Sequence, residues 1–136
     1  MGMRTHVMGR LEVKTWDEKP YNEMEGGPKL TRASVTESWH GDIAGEGTVE
    51  YLMTYRDDGS ANFVRVERVV GRVGDRSGSF VLQGSGTFES GTAKGTWLVV
   101  PGAATGDLRG LRGEGGFVAR GADYPNVQIT LDYDFD

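Results

Sequence analysis

The feature that most constrains this chain is a pair of long alternating runs, residues 45–56 and 60–73, joined by Asp57-Asp58-Gly59. Runs of this kind, rich in Val, Tyr and Phe and flanking a turn, form a β-hairpin. The turn decides which side chains share a face. As a two-residue type I′ turn, Asp58-Gly59 sets Glu50 directly opposite Glu67, and like charges facing across a strand pair are destabilising. A three-residue loop with Gly59 left-handed sets Val49 opposite Glu67, Tyr51 opposite Arg65 and Met53 opposite Phe63. The second register is preferred. It gathers Val49, Tyr51, Met53, Tyr55, Phe63, Arg65, Glu67 and Val69 on one face and sends Glu46, Glu50 and Arg56 to the other. A slip of one residue would reverse the assignment.

Six further runs read as strands: residues 5–16, 30–40, 78–88, 92–100, 113–120 and 127–135. In the second of these, Ala33, Val35, Glu37 and Trp39 alternate with Arg32, Ser34, Thr36 and Ser38, the period of two that marks a half-buried strand. No stretch carries a helical period over three turns. Eight strands with mostly short links predict an all-β domain spanning residues 1–136, an eight-stranded antiparallel up-and-down barrel, with a sandwich as the alternative. Residues 17–28 read as a long polar connection. Connections of about twelve residues are usually functional or disordered, and this one is expected to be a lid over one barrel mouth. Gly26-Gly27 would be its hinge, and Tyr21 and Met24 would cover the opening. An eight-stranded barrel has room inside for side chains or one small ligand. Leu52, Val64, Val66 and Val70 then fall outside, so a homo-oligomer is expected.

Bulk properties narrow the function classes. With 37% hydrophobic and 26% charged residues, the 136-residue chain is globular rather than disordered. A net charge of −5 argues against nucleic acid as a partner, because phosphates demand a basic surface. It equally disfavours an anionic membrane, and no apolar run approaches the ~18 residues of a spanning helix. The chain has no cysteine and lacks the basic-then-apolar start of a secretory leader; a cytoplasmic location is expected. His6 and His40 are its only histidines, too few and too scattered for a zinc site. Ala93-Lys94-Gly95-Thr96 fails the phosphate-loop pattern and no Gly-x-Ser-x-Gly elbow occurs. The expectation is therefore no metal and no cofactor.

Several segments are similar to those of a family of uncharacterised bacterial proteins. They are Trp16-Asp17-Glu18-Lys19-Pro20, Leu30-Thr31-Arg32-Ala33-Ser34-Val35, Gly45-Glu46-Gly47-Thr48, Arg76-Ser77-Gly78-Ser79-Phe80-Val81-Leu82 and Leu131-Asp132-Tyr133-Asp134-Phe135. The resemblance spans nearly the whole chain and implies a barrel like that of allene oxide cyclase, in the broad calycin style. Gly106-Asp107-Leu108-Arg109-Gly110-Leu111-Arg112-Gly113 resembles the glycine-and-arginine segment of allene oxide cyclases and dirigent proteins. Those relatives hold an apolar reactive intermediate in the barrel and direct its cyclisation or coupling, which implies a cavity here. Such relatives often carry His where this chain has Gly84; glycine there removes an acid–base group and widens any cavity.

Within that frame Glu67 is the candidate catalytic residue. A carboxyl among apolar walls has its pKa raised by desolvation, which suits a general acid or base near neutrality. The competing reading pairs it with Arg65 or Arg68, or points it at solvent. Arg65 would orient an anionic or carbonyl ligand, or serve as counter-ion to Glu67. Tyr51 would donate to a ligand oxygen or simply pack. Met53, Phe63 and Trp97 complete the candidate ligand-binding set, and Trp39, Tyr55, Phe80 and Phe88 are further apolar walls. Gly84 and Gly86 either leave space inside or allow close approach of another strand. Arg109 and Arg112 read as a solvated loop before a phosphate site. Two functions fit: a cofactor-independent isomerase or cyclase acting on a small apolar or carbonyl-bearing molecule, or a carrier of lipocalin type using the same cavity without turnover.

Overall fold

A computed structural model describes residues 4–136. The chain runs through β1 (Thr5–Asn22), β2 (Lys29–His40), β3 (Ile43–Tyr55), β4 (Ala61–Val73), β5 (Arg76–Glu89), β6 (Thr92–Val99), β7 (Thr105–Gly106), β8 (Leu111–Arg120) and β9 (Asn126–Phe135). A single 3-10 turn, Gly121–Asp123, precedes β9. All but the two-residue β7 form one closed antiparallel sheet, in which each strand pairs with the next and β9 returns to pair with β1. This is the eight-stranded up-and-down barrel expected from the alternating runs. Among the described residues no helix is long and apolar enough to cross a membrane.

The β3–β4 hairpin takes the register argued from charge. Val49 faces Glu67, Tyr51 faces Arg65 and Met53 faces Phe63. The Arg56 N–H donates to the Ser60 carbonyl at 2.8 Å, closing residues 57–59 as a three-residue loop. Gly59 sits at φ 86°, a left-handed conformation that a β-carbon would penalise. Every residue assigned to the inner face between Val49 and Val69 is buried except Tyr55, which is half-buried.

Two parts of the chain depart from the sequence reading. Residues 17–22 are not loop: they continue β1 and pair with β2, from Asp17 opposite Ser34 to Asn22 opposite Leu30. Only a short turn over residues 23–28 remains, and Tyr21 and Met24 are exposed away from the cavity described below. The expected lid is thus a strand. Its polar composition belongs to an overhanging edge: β1 pairs with β9 only as far as Glu12 opposite Asn126, so its last residues have β2 alone for a neighbour. Lys14, Lys19 and Pro20 lie along that edge, residue types that discourage further strand pairing.

The second departure is a bulge. Val13 pairs with Glu37, but the next pair is Thr15 with Thr36, leaving Lys14 as an extra residue in β1. One extra residue reverses the parity of everything beyond it. Before the bulge the odd-numbered Val7, Leu11 and Val13 face inward. After it the even-numbered Trp16 and Glu18 do, opposite the buried Val35 and Ala33.

The interior has three layers. At the end where β3 begins and β4 finishes, Val7, Ile43, Val69, Val73, Phe80, Leu82 and Leu131 fill the barrel. Leu108, wholly buried in the turn after β7, closes that end. The middle layer is polar and the opposite end is hollow. Outside, Leu52, Val64, Val66, Val70 and Leu98 are exposed; Leu52 lies opposite Val64 on neighbouring strands.

Candidate functional site

The middle layer holds three charged side chains in a place where charge is expensive. Glu37 from β2, Arg65 from β4 and Glu67 from β4 are 2%, 2% and 0% exposed. Arg65 and Glu67 are two apart on one strand and share its inward face. Glu37 reaches them from across β3, where its opposite residue, Gly47, has no side chain to intervene. A β-carbon on Gly47 would be driven into the Glu67 carboxylate. Glycine at 47 is therefore what makes room for this cluster.

A single guanidinium nitrogen serves both acids. Arg65 Nη2 donates to Glu67 Oε1 at 2.7 Å and to Glu37 Oε1 at 3.2 Å. Glu67 has a second donor, the Trp39 indole N–H, at 3.0 Å from its Oε2. Glu67 is thus held by donors on both oxygens, and Arg65 holds Glu37 by the longer contact. Burial pushes the Glu37 carboxyl well above its ordinary pKa, and the neighbouring Glu67 charge and hydrogen bond add to the rise; Arg65 opposes it. The arrangement favours the neutral form of Glu37. For Arg65, desolvation works against the charge, but Tyr51, Glu67 and Glu37 outweigh it and hold the guanidinium more firmly protonated than usual.

The other two guanidinium donors are unmatched. Arg65 Nε and Nη1 are buried without a hydrogen-bond acceptor. They lie among aromatic rings instead: the Arg65 Cζ is 5.1, 5.0 and 5.1 Å from the ring centres of Tyr51, Trp97 and Phe117. Such cation–π contacts offset part of the missing hydrogen bonding. Burial also pushes the Tyr51 hydroxyl up to about 12, so it stays a neutral donor.

Above this layer the barrel encloses a cavity of about 430 Å³. Leu11, Val13, Met53, Phe63, Phe117 and Val127 give it apolar walls, and Glu37 and Arg65 are its polar floor. An unbroken series of ring contacts runs along it. Trp16 meets Tyr51 at 5.3 Å, Tyr51 meets Phe63 at 5.4 Å, Phe63 meets Phe117 at 6.0 Å and Phe117 meets Trp97 at 5.2 Å. The mouth opens where β1 leaves β9, between Trp16 on one side and Arg120, Gly121 and Tyr124 on the other. Trp16 is 43% exposed there. Its indole donates to Glu18 Oε1 at 3.0 Å, while Thr31 and Tyr55 hydroxyls donate to Glu18 Oε2 at 2.6 Å each. Burial would raise the Glu18 pKa, but these three donors together bring it below the ordinary value.

The structure brings Tyr51, Met53, Phe63, Arg65 and Trp97 together around this one cavity. Glu67 is not among the residues that line it. It lies behind Glu37 and Arg65, inside the barrel, as the main counter-ion of Arg65. Glu37 is the carboxyl that touches the cavity, and it was not singled out from sequence, although it sits on the apolar face of an otherwise clear alternation. Gly84 and Gly86 do not widen the cavity. A β-carbon at either would strike a backbone carbonyl of β6, Thr96 for Gly84 and Lys94 for Gly86, so they serve close strand approach. Arg112 pairs with Asp134 and Asp136 on the surface, at the end of the barrel away from the mouth. Among the described residues no group of three or more His, Asp or Glu side chains is placed to hold a metal ion.

Comparison with known proteins places the chain. Residues 7–133 match the family model described as Protein of unknown function (DUF3224), and the chain belongs to that family. A crystal structure of a DUF3224 protein of unknown function from Shewanella oneidensis MR-1 is similar over 98% of both chains, with 29% identity and a TM-score of 0.82. No curated protein matches the chain. The resemblance to a family of uncharacterised proteins is thereby shown, and the likeness to allene oxide cyclase stays an expectation from the sequence. The segment likened to allene oxide cyclases, residues 106–113, forms the turn after β7 that buries Leu108 and the start of β8, apart from the cavity.

Proposed function

We propose that this DUF3224 protein binds a small, largely apolar molecule in the barrel, with one oxygen-bearing group of the ligand on the Arg65–Glu37 floor. The observation that carries the reading is the form of the cavity: apolar aromatic walls, a mouth beside Trp16 and Arg120, and the buried Glu37 and Arg65 at the inner end. Ligand sites typically pair such apolar enclosure with a few placed polar groups. Tyr51, Met53, Phe63 and Trp97 supply the wall and Arg65 the anchor. The test is displacement of a neutral fluorophore. Nile red should bind with a blue-shifted emission, quench the tryptophans, and be displaced by medium-chain ketones or alcohols. Emission unchanged from that in buffer, with tryptophan fluorescence unaffected at saturating probe, would contradict the reading.

A catalytic second reading is favoured by the place of Glu37, a buried carboxyl that lines the cavity in contact with Arg65 and whose pKa burial raises. A buried neutral carboxyl beside a guanidinium is suited to protonate or polarise a carbonyl without any cofactor, the equipment of an isomerase or cyclase. The barrel would hold one reactive conformer, which supplies proximity and orientation. In this reading Glu67 acts through Glu37 and Arg65 and does not touch the ligand. Glu37→Gln, which keeps size and hydrogen bonding, would then lower turnover ~10²–10⁴-fold while probe binding persists. Self-association is proposed alongside, through the exposed Leu52, Val64 and Val66 face; sedimentation showing only monomer at micromolar concentration would remove it.

A further inference from the structure

The floor carries more information than the presence of a polar anchor. Its ionisable groups are two carboxyls and one guanidinium, all buried and within direct contact. Even with Glu37 neutral, Glu67 alone balances Arg65. The acids occupy only Nη2 of Arg65, while Nε and Nη1 have no acceptor. So the site has hydrogen-bond donors to spare and no positive charge to spare.

Resting on the binding reading above, we propose that the floor selects a neutral carbonyl oxygen, as in a ketone, aldehyde or ester, and rejects a carboxylate on an otherwise identical tail. A carbonyl oxygen is an acceptor without charge. It would satisfy an unmatched Arg65 donor and receive a further hydrogen bond from the Glu37 carboxyl or the Tyr51 hydroxyl. It would leave the charge of the cluster unchanged. A carboxylate offers the same acceptor geometry but adds a third acid to a buried group with one base. An uncompensated buried charge is strongly destabilising. The ligand's carboxylate would have to bind as the neutral acid or drive another proton onto the cluster. Arg120 at the mouth does not change this balance, because it is exposed and lies at the opposite end of the cavity from Arg65.

The experiment compares methyl nonyl ketone with decanoate, which share a nine-carbon tail and a carbonyl and differ only by a methyl group in place of an oxyanion. Both are titrated against Nile red–loaded protein at neutral pH. The ketone should displace the probe at least ~100-fold more effectively than decanoate, on the scale of a buried unpaired charge. The double substitution Glu37→Gln with Glu67→Gln removes both acids, leaving Arg65 to act as an anion site, and should reverse the order. Equal displacement by the two ligands, or a preference for decanoate in the unaltered protein, would overturn the head-group inference while leaving the cavity reading in place. Displacement by neither, with Nile red itself unbound, would overturn both. Should the double variant fail to fold, the comparison in the unaltered protein decides the matter alone.

Discussion

Toward the Ile43–Val73 end of the barrel, the inward positions carry Val69, Phe80, Leu82 and Leu131 and the interior is full. Toward the Tyr55–Ala61 end, the same strands carry Tyr51, Met53, Phe63 and Phe88 and leave a cavity of about 430 Å³. On β3, β4 and β5 the alternation of inward and outward residues runs unbroken through both halves, and so does the ladder of backbone hydrogen bonds that joins them. What differs is side-chain shape. Branched aliphatic residues from facing strands interdigitate across a small barrel to the density of a core. Flat rings that contact edge and face line a wall instead, and their size keeps opposite walls apart. The polar layer is the boundary between the halves. It is anchored to the packed side by Trp39 and Gly47 and presents Arg65 and Glu37 to the hollow side.

If this division is right, substitutions in the two halves should separate stability from binding. The largest effect is expected in the packed half. Phe80→Ala should lower unfolding stability by about 3–5 kcal/mol, read from denaturant midpoints, with the remaining folded protein still binding Nile red. A loss under about 1 kcal/mol would mean that the half is not the tightly packed core described here.

The boundary comes next. Arg65→Met leaves the buried acids with no base and should cost about 3 kcal/mol at neutral pH. Part of that loss should return on acidification, which removes the uncompensated buried charge. A variant equally unstable at all pH values would show that packing, not charge, is what Arg65 contributes.

A smaller, signed effect belongs to Glu37. Its folded-state pKa lies above its unfolded value, so between the two the native protein binds more protons than the unfolded chain. Its contribution to stability is full below the unfolded pKa and is lost as pH rises through the folded one. The slope is at most about 1.4 kcal/mol per pH unit. Glu37→Gln should flatten the stability–pH profile above pH 4.5, the reference value for the unfolded carboxyl. An unchanged slope in urea titrations across that range would locate the proton elsewhere.

The smallest stability change should come from the mouth. Trp16→Ala should cost about 1 kcal/mol, the scale of one aromatic pair, yet weaken Nile red binding and remove much of the ligand-dependent tryptophan signal. If binding is untouched, Trp16 is not part of the entrance.

These halves were not equally readable from the chain. The packed half and the hairpin register followed from strict alternation and from the cost of setting Glu50 against Glu67. The same logic assembled Tyr51, Met53, Phe63 and Arg65, because they lie on two adjacent strands joined by a tight turn. It failed where information is carried by contacts remote in sequence. Glu37 lies on the apolar face of β2 in the sequence alternation, but nothing local marks it, because its partners are on β4, across the intervening β3. Only the closed sheet brings them together. Trp16 and Glu18 were lost for a different reason: the extra residue at Lys14 reverses parity, and nothing local to Lys14 announces a bulge. Residues 17–22 looked like a loop because an overhanging strand with one neighbour has no apolar face to alternate. Gly84 and Gly86 suggested space where the backbone of β6 stands.

The return of β9 to β1 has a consequence for how the chain reaches its native state. Every other ladder of the barrel joins strands near one another along the chain, whereas this one sets Thr5 opposite Tyr133. Loop closure across so many residues carries the largest entropy cost of any contact in the molecule, and ladders of high sequence separation form slowly. The seam that closes the barrel is also the seam that parts to form the mouth, since β1 leaves β9 beyond Glu12. A circular permutant linking the two termini and opened within residues 57–59 would turn this seam into a local connection. It would move the long-range closure to β3 and β4, where Tyr51 and Arg65 meet. The order of assembly would then run from the entrance inward, and the charged layer would be among the last parts of the barrel to lose its water.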